Sequence, residues 1–381
     1  MSIEIIPFNT IGPDSPLLRI WNEKVAAERN LYGLYQAFTW LSCTATPQRA
    51  QPRLLVSRNG ADPEPTVLTP IAPENVPLRF RAARREFANV QLRCMEVLGG
   101  RVLGDPDYAT YCAIVRGIFE QSPEIQGIYF KSVPSDSALW NALAARDWRL
   151  DGACAYRLDG ERPFHYAELP NTFDGYLGEF RKKQRYNLKR QVRLMNEGVD
   201  NSLRMTLVDS REQIASFLDD VRRITVKSWK AELEESGPDM ADDPDALRAL
   251  ADTGLLRAYL LSANDAPVAY ALGYRHRDVY HYANIGYDAD FAKYSPGAVL
   301  LLQMIQDLID NAGVRYMNFG ITDANYKRVF GNRHISDASI VVLRPGLRNS
   351  LLASAHGAFE SAKNLLRRRR APAPAAADEA E

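Results

Sequence analysis

Residues Tyr287–Leu308 read YDADFAKYSPGAVLLLQMIQDL. A run of alternating apolar and polar residues ends at the tyrosine, and a polar loop follows. Tyr294-Ser295-Pro296-Gly297 then turns the chain straight into an apolar helical stretch. A helix N-terminus presents unsatisfied N–H groups and a partial positive charge, which suits a pyrophosphate. Gly297 has no side chain to block those amides, and Pro296 sets the chain entering the turn. On spacing alone, the stretch reads first as an ordinary capped helix packed on a sheet.

Upstream, Leu255–Ser262 and Val268–His276 predict two strands around the turn Ala263-Asn264-Asp265, and Asp278–Tyr287 a third. Alternation puts Tyr280, Tyr282 and Asn284 on one face and His281 on the other. Downstream, Gly297–Gly313 is a helix ending on its own glycine and Tyr316–Ile321 a fourth strand. Ahead of them, Thr172–Gly198 reads as helix and Leu203–Val208 as strand. Ser210–Lys230 reads as a long helix capped by Asp209 or Ser210. Strand hairpins followed by a helix and one more strand make an α/β domain with a mixed, mostly antiparallel sheet.

The first half repeats this order. Helices with a buried face span residues 17–46, and β-type runs follow at Arg53–Ser57, Thr66–Ile71 and Gln91–Leu98. A helix starts after Gly104-Asp105-Pro106-Asp107, Ile125–Val133 is a buried strand, and Ser135-Asp136 caps a helix to Ala145. A chain of 381 residues exceeds one usual domain, so a tandem pair of similar α/β domains is expected. The boundaries fall at 1–165 and 166–346. Beyond them lies a helix over 347–370, with Leu351, Leu352, Ala355, Phe359, Ala362 and Leu366 on one face and Arg367–Arg370 at its end. The tail 371–381 has no means of building a core and is expected to be disordered.

Lys+Arg and Asp+Glu are both 47, so no global charge pulls the chain towards nucleic acid. Cys43, Cys94, Cys112 and Cys154 form no CxxC pair, which argues against a metal site and for buried free thiols in a reducing compartment. The N-terminus lacks a basic start and a long apolar stretch, and no run reaches the length of a membrane span. A cytoplasmic protein is expected.

The order of motifs carries more than each motif alone. Ser228-Trp229-Lys230-Ala231 is followed by the hairpin Leu255–Asp288, then YSPGAVLL (294–301), then MNFGITDANYKRVFG (317–331). This order resembles the FemAB-like branch of the GNAT acyltransferase superfamily, in particular proteins linked to cellulose and exopolysaccharide biosynthesis. The helix Tyr176–Gly198 resembles the basic helix that opens that domain. LRCMEVLGGRVLGDPDY (92–108) and VPSDSALWNALAARDWRL (133–150) resemble the first domain of the same family. The resemblance covers most of residues 20–335. It implies that acyl-CoA, a co-substrate with no permanently bound cofactor, lies along a splayed pair of strands while an amine attacks the thioester. Tyr294, Ser295, Pro296, Gly297 and Ala298 match the phosphate-binding turn, yet they depart from the longer Gly-rich loop of standard GNAT proteins. Acyl-carrier protein and aminoacyl-tRNA therefore remain alternative donors.

Candidates for the chemistry follow. His281 has the ordinary pKa of a base, although a lone strand histidine is more often structural. Asp323, Asn325, Tyr326 and Lys327 follow the last strand, where open α/β sheets carry chemistry. The catalytic set is His281, Tyr326 and Asp323, with the Tyr326 phenol as proton donor to the thiolate. Trp229, Lys230, Tyr282, Asn284, Asn325 and Lys327 form the substrate set. Arg181, Lys182, Lys183, Arg185, Lys189, Arg190 and Arg193 crowd one helix. They read either as a solvated face or, for Arg181 to Arg190, as a contact with CoA phosphates or an anionic inner-membrane surface. The leading functional reading is N-acylation of a long-chain (sphingoid) amine to a ceramide-type lipid. The alternatives are acylation of an amino sugar or envelope-polysaccharide precursor, FemAB-type aminoacyl transfer, and a non-catalytic partner of a synthase.

Overall fold

The computed structural model describes residues 2–28, 31–45, 51–58, 64–82, 85–104, 106–228, 243–321 and 323–370. Trp229, Lys230 and the tail 371–381 lie outside the described residues.

The chain starts with β1 (Ser2–Pro7), α1 (Pro16–Ala27) and α2 (Phe38–Thr44). Next come β2 (Arg53–Arg58), β3 (Val67–Ala82), β4 (Arg85–Val97), α3 (Tyr108–Gln121) and β5 (Gly127–Pro134). Then follow α4 (Ala138–Ala144), β6 (Arg149–Leu150), β7 (Ala153–Glu168), α5 (Phe173–Gly178) and α6 (Lys182–Gly198). The next stretch holds β8 (Arg204–Val208), α7 (Ile214–Val226), α8 (Pro244–Asp252), β9 (Ala258–Ala263), β10 (Ala266–His276) and β11 (Val279–Tyr287). The last elements are α9 (Pro296–Asp310), β12 (Tyr316–Gly320), α10 (Asn325–Phe330), β13 (Arg333–Leu343) and α11 (Leu347–Arg370).

These elements gather into two compact units. One holds Met1–Leu17, Ala50–Glu161 and Asp337–Glu381; the other holds Leu18–Arg49 and Arg162–Ser336. In the first unit β1, β2, β3 and β4 pair antiparallel in turn, β4 pairs parallel with β5, and β5 pairs antiparallel with β13. The second unit repeats the pattern: β8, β9, β10 and β11 are antiparallel neighbours, β11 is parallel to β12, and β12 is antiparallel to β7. Each parallel step is bridged by a helix, α3 in one unit and α9 in the other. Both units are therefore mixed α/β sheets of one topology. Neither is a continuous piece of sequence, so a single boundary near 165 does not describe them.

Local chemistry explains most elements. Ser210 and Gln213 form a reciprocal capping box at the entry to α7, as its sequence suggests. Asn264 and Asp265 both take positive φ in the turn between β9 and β10. β3 runs past its expected end at Ile71 despite Pro73 and Pro77. β2 pairs only with Val67–Ile71, so both prolines lie where that edge has no ladder to feed. The expected helix 172–198 is two, parted at 179–181. The second unit's core is built around α9, whose Val299, Leu300, Leu301, Met304, Ile305 and Leu308 are buried on the sheet. Of the cysteines only Cys94 is buried; Cys43, Cys112 and Cys154 are half-buried. Among the described residues no helix is long and apolar enough to cross a membrane.

Candidate active site

The turn before α9 is held from both sides. Asp288 caps the 3-10 turn Ala289–Tyr294 through the Asp290 amide, and Lys227 Nζ bridges Asp288 and Asp290 at 3.0 Å each. Tyr294 is wedged under the end of α6, where a Cβ on Gly198 would sit 2.5 Å from the Tyr294 ring and hydroxyl. Tyr294 thus anchors the turn. Ser295 takes a left-handed conformation (φ 56°), and Pro296 opens the helix.

The cradle of amides is leaner than expected. Pro296 has no N–H, and the amides of Ala298 and Val299 both donate to Ser295 O, at 3.0 and 3.2 Å. Gly297 is left as the first-turn amide to offer a ligand. A Cβ there would meet only Tyr287 Cδ1, at 3.6 Å, so the approach to it is open. The missing positive charge comes from α6. A cavity of about 480 Å³ is lined by Arg181 and Lys183, by Gln184, Asn187 and Gln191, and by Ser295 and Ala298 of the turn. Asn325 and Tyr326 of α10 form its other end, and Leu188, Val329 and Phe330 give it an apolar wall.

One cavity therefore joins Ser295, Ala298, Asn325, Tyr326, Arg181 and Lys183. Arg181 and Lys183 were candidate membrane contacts; here they face the space beside the helix N-terminus. Lys182, Lys189 and Arg190 are exposed outside the lining, and Arg185 is half-buried. Gln184, Asn187 and Gln191 were missed. Their signal was an uncharged stripe at helical spacing within a strongly basic helix.

The strands part beside this cavity. β11 and β12 pair only at Val279–Tyr316, Tyr280–Met317 and His281–Asn318. Beyond that point Tyr282, Phe319 and Tyr326 pack edge to face, with centroids 5.8 to 6.3 Å apart. Burial pushes the Tyr326 phenol up to about 12, so it stays protonated near neutral pH. Asn284 does not share the Tyr282 face as expected. A bulge between the Leu272 and Gly273 pairs resets the alternation, and Asn284 accepts from the Tyr270 hydroxyl at 3.4 Å.

His281 is not brought to the cavity. It is 2% exposed at the apex of the splay, packed edge-on against Tyr35, with Nδ1 3.4 Å from the Asn318 amide nitrogen. Burial lowers its pKa to about 3, which removes the basicity expected of it. A test follows from linkage. The unfolded chain takes up a proton near pH 6.5 that the folded His281 refuses until about pH 3, so stability must rise with pH through that window. Acidification from pH 6 to 4 is expected to cost about 1.4 kcal/mol per pH unit from this residue. In His281→Gln, denaturant unfolding across pH should show a slope shallower by one proton; an unchanged slope contradicts the assignment.

Asp323 is likewise unavailable as a base. Arg328 and His165 both donate to it, and the Arg328 hydrogen bonds first among these causes hold its carboxyl at about 2. It positions the loop that carries α10. Lys327 is 4% exposed, outside the cavity lining, and burial lowers its pKa to about 8 although Asp323 opposes the shift.

The pattern of these elements and of the sequence over residues 182–328 matches the acetyltransferase (GNAT) domain family. The matched stretch takes in α6, the α9 turn and the start of α10, Asn325 and Tyr326 among it. FemX is similar in structure, with a TM-score of 0.62 and 13% identity over 93% of this chain and 99% of that one. The C-terminal DUF2156 domain of an assigned lysylphosphatidylglycerol synthetase from Agrobacterium fabrum aligns at TM-score 0.52 and 13% identity. That alignment covers 88% of this chain and 94% of the other. A tandem GNAT protein from the clavulanic acid biosynthesis pathway aligns at 0.52 and 12%, over 91% and 100%. At these identities the likeness concerns the fold. No curated protein matches the sequence.

Proposed function

We propose that this GNAT domain transfers an acyl group from acyl-CoA to the amine of a long-chain acceptor. The observation that carries the proposal is the cavity in which Ser295 and Ala298, on either side of Gly297, meet Arg181, Lys183 and Tyr326. The helix N-terminus and the two cations suit the donor's phosphates, and the apolar wall suits an alkyl chain. The amine nitrogen attacks the thioester carbonyl, the C–S bond breaks, and the proton lost by nitrogen ends on the departing thiolate. Nitrogen becomes acidic once it carries the new bond, so a buried base such as His281 is not required.

Tyr326 takes a different part from the proton donor first expected. A phenol held at about 12 is a weaker acid than a thiol of ordinary pKa near 8.5, so proton transfer to the thiolate would be uphill. As a hydrogen-bond donor to negative charge developing on the carbonyl oxygen or sulfur, it loses nothing by that high pKa.

A sphingoid base is the leading acceptor, supported by the apolar wall. The neighbour assigned to lysylphosphatidylglycerol synthesis, by name a lipid product, favours a lipid over an amino sugar and keeps aminoacyl transfer among the arms of the test. Purified protein with acetyl- or long-chain acyl-CoA and either sphinganine or glucosamine is expected to release free thiol with sphinganine. Turnover only with the amino sugar replaces the acceptor, and none with any pair removes the reading. Gly297→Val tests the donor site separately. The fold accepts the side chain, so the melting temperature should hold while CoA affinity falls at least about ten-fold. Unchanged affinity would place the donor elsewhere.

A further inference from the structure

In the first unit, α11 lies on the β3–β4 hairpin by an unusual face. The sequence placed Leu351, Leu352, Ala355, Phe359, Ala362 and Leu366 on one face of this helix. The structure splits that set: Leu352 packs against the core and Phe359 is half-buried against Phe80, while Ala353 and His356 are the buried residues. Tyr156 OH lies 2.6 Å from His356 Nδ1, and His356 Nε2 lies 3.2 Å from the Arg79 carbonyl oxygen, which sets the helix's rotation. Leu347, Leu351 and Leu365 are left 78%, 60% and 54% exposed. Between Leu351 and Leu365, Ser354, Ala355, Ala358, Ser361 and Ala362 are exposed too, so beyond Arg348 the outward stripe carries no charge as far as Leu365. Glu360 and Lys363 pair with each other on the half-buried side. A helix on a protein surface normally turns its polar face outward.

The hairpin beside it adds a second exposed apolar group. Phe80 pairs with Ala88 and Arg81 with Glu86, which leaves Phe87 as the extra residue of a bulge, 62% exposed. Its ring lies 6.3 Å from Phe359 of α11, and Phe80 lies 5.4 Å from the same ring. Arg79, Arg81 and Arg85 are exposed on the same two strands, Arg348 stands at the start of α11, and the helix ends in Arg367–Arg370.

We infer that α11 and the neighbouring aromatics Phe80 of β3 and Phe87 of β4 form a docking surface for an anionic lipid bilayer. An uncharged leucine stripe laid flat, an outturned phenylalanine and basic residues at both ends match the two requirements of an interfacial helix, apolar insertion and attraction to anionic headgroups. A second copy of this chain fits less well, because the arginines of two paired helices would face one another. Nucleic acid would leave the leucine stripe in water. The inference does not depend on the acyl-transfer reading.

Vesicle co-sedimentation of the full chain tests it. The protein is expected to bind vesicles of phosphatidylcholine with phosphatidylglycerol and not those of phosphatidylcholine alone. Leu351→Glu with Leu365→Glu should weaken that binding at least about ten-fold, since each removes an aliphatic side chain that would enter the bilayer and adds a repelled charge. Phe87→Ser should weaken it several-fold. Both are exposed positions, and circular dichroism should show the fold kept. Reversing Lys182, Lys189 and Arg190 on α6 should leave vesicle binding as it was. Several outcomes would overturn the proposal: no vesicle binding, binding untouched by the leucine variants, or binding lost only on α6 reversal. A dimer that the leucine variants split into monomers would assign the stripe to a second copy, and RNA competing the protein off vesicles would assign the patch to nucleic acid.

Discussion

Replacing Tyr326 by Phe is expected to lower kcat about a hundred-fold while the KM for acyl donor and the unfolding free energy stay close to wild type. The ring is retained, so its packing against Tyr282 and Phe319 survives. Among the described residues no protein group bonds the Tyr326 hydroxyl, so its loss strands no buried partner. What disappears is one donor facing the cavity, and oxyanion donors of this kind are worth about 10²–10³ in kcat. Single-turnover kinetics with the preferred donor check the claim. A kcat within a few-fold of wild type would remove Tyr326 from the reacting atoms, and a fall confined to KM would make it a binding group.

Asp307→Ala is expected to cost about 3–5 kcal/mol of stability. Asp307 on α9 accepts from Arg257 and, at 2.7 Å, from the Tyr259 hydroxyl; Asn311 donates to its other oxygen at 2.9 Å. Arg257 and Asp307 are only 12% and 16% exposed, so removing the carboxylate strands a guanidinium with little water to replace it. Burial pushes the Asp307 pKa up, but the hydrogen bonds from Asn311, Tyr259 and Arg257 outweigh it and the net shift is downward. Its stabilisation is thus complete above the ordinary aspartate range and is lost as pH falls through the lowered folded pKa. Urea unfolding at neutral and acid pH measures both parts. A loss below about 1 kcal/mol at pH 7 would show that α9 is held by its apolar face alone.

Much of this was legible because it is local. The Ser210 cap before α7, the positive-φ turn at Asn264-Asp265, and the abrupt start of α9 at Pro296 depend on neighbours a few residues away. The tandem order of strands and helices was legible for the same reason. The strands that complete each sheet were not. β7 breaks its apolar rhythm at Asp159-Gly160-Glu161-Arg162-Pro163, and β13 opens on Arg333-His334-Ile335-Ser336-Asp337. Neither run looks like a strand until a partner far along the chain supplies the ladder. β13 completes the first unit's sheet and β7 the second's, which is why a boundary drawn from sequence order misplaces both.

The site divides along the same line. Ser295, Gly297 and Ala298 at a helix start, and Asn325 and Tyr326 after the last strand, could be picked out from sequence because their types and positions carry the chemistry. Their meeting with Arg181, Lys183, Gln184 and Gln191 could not, since α6 is brought to the turn by Tyr294 packing beneath Gly198. His281 illustrates the converse. Its residue type promised a base, but the pairing of β11 with β12 buries it beside Asn318, and desolvation removes its basicity. By itself the sequence determined the order of elements, the family pattern and the turn that opens α9, because these rest on backbone preferences and short-range periodicity. Only the tertiary structure decided which charges face that turn, which titratable groups keep a usable pKa and which face of α11 meets water. Those depend on burial and on partners remote in the chain.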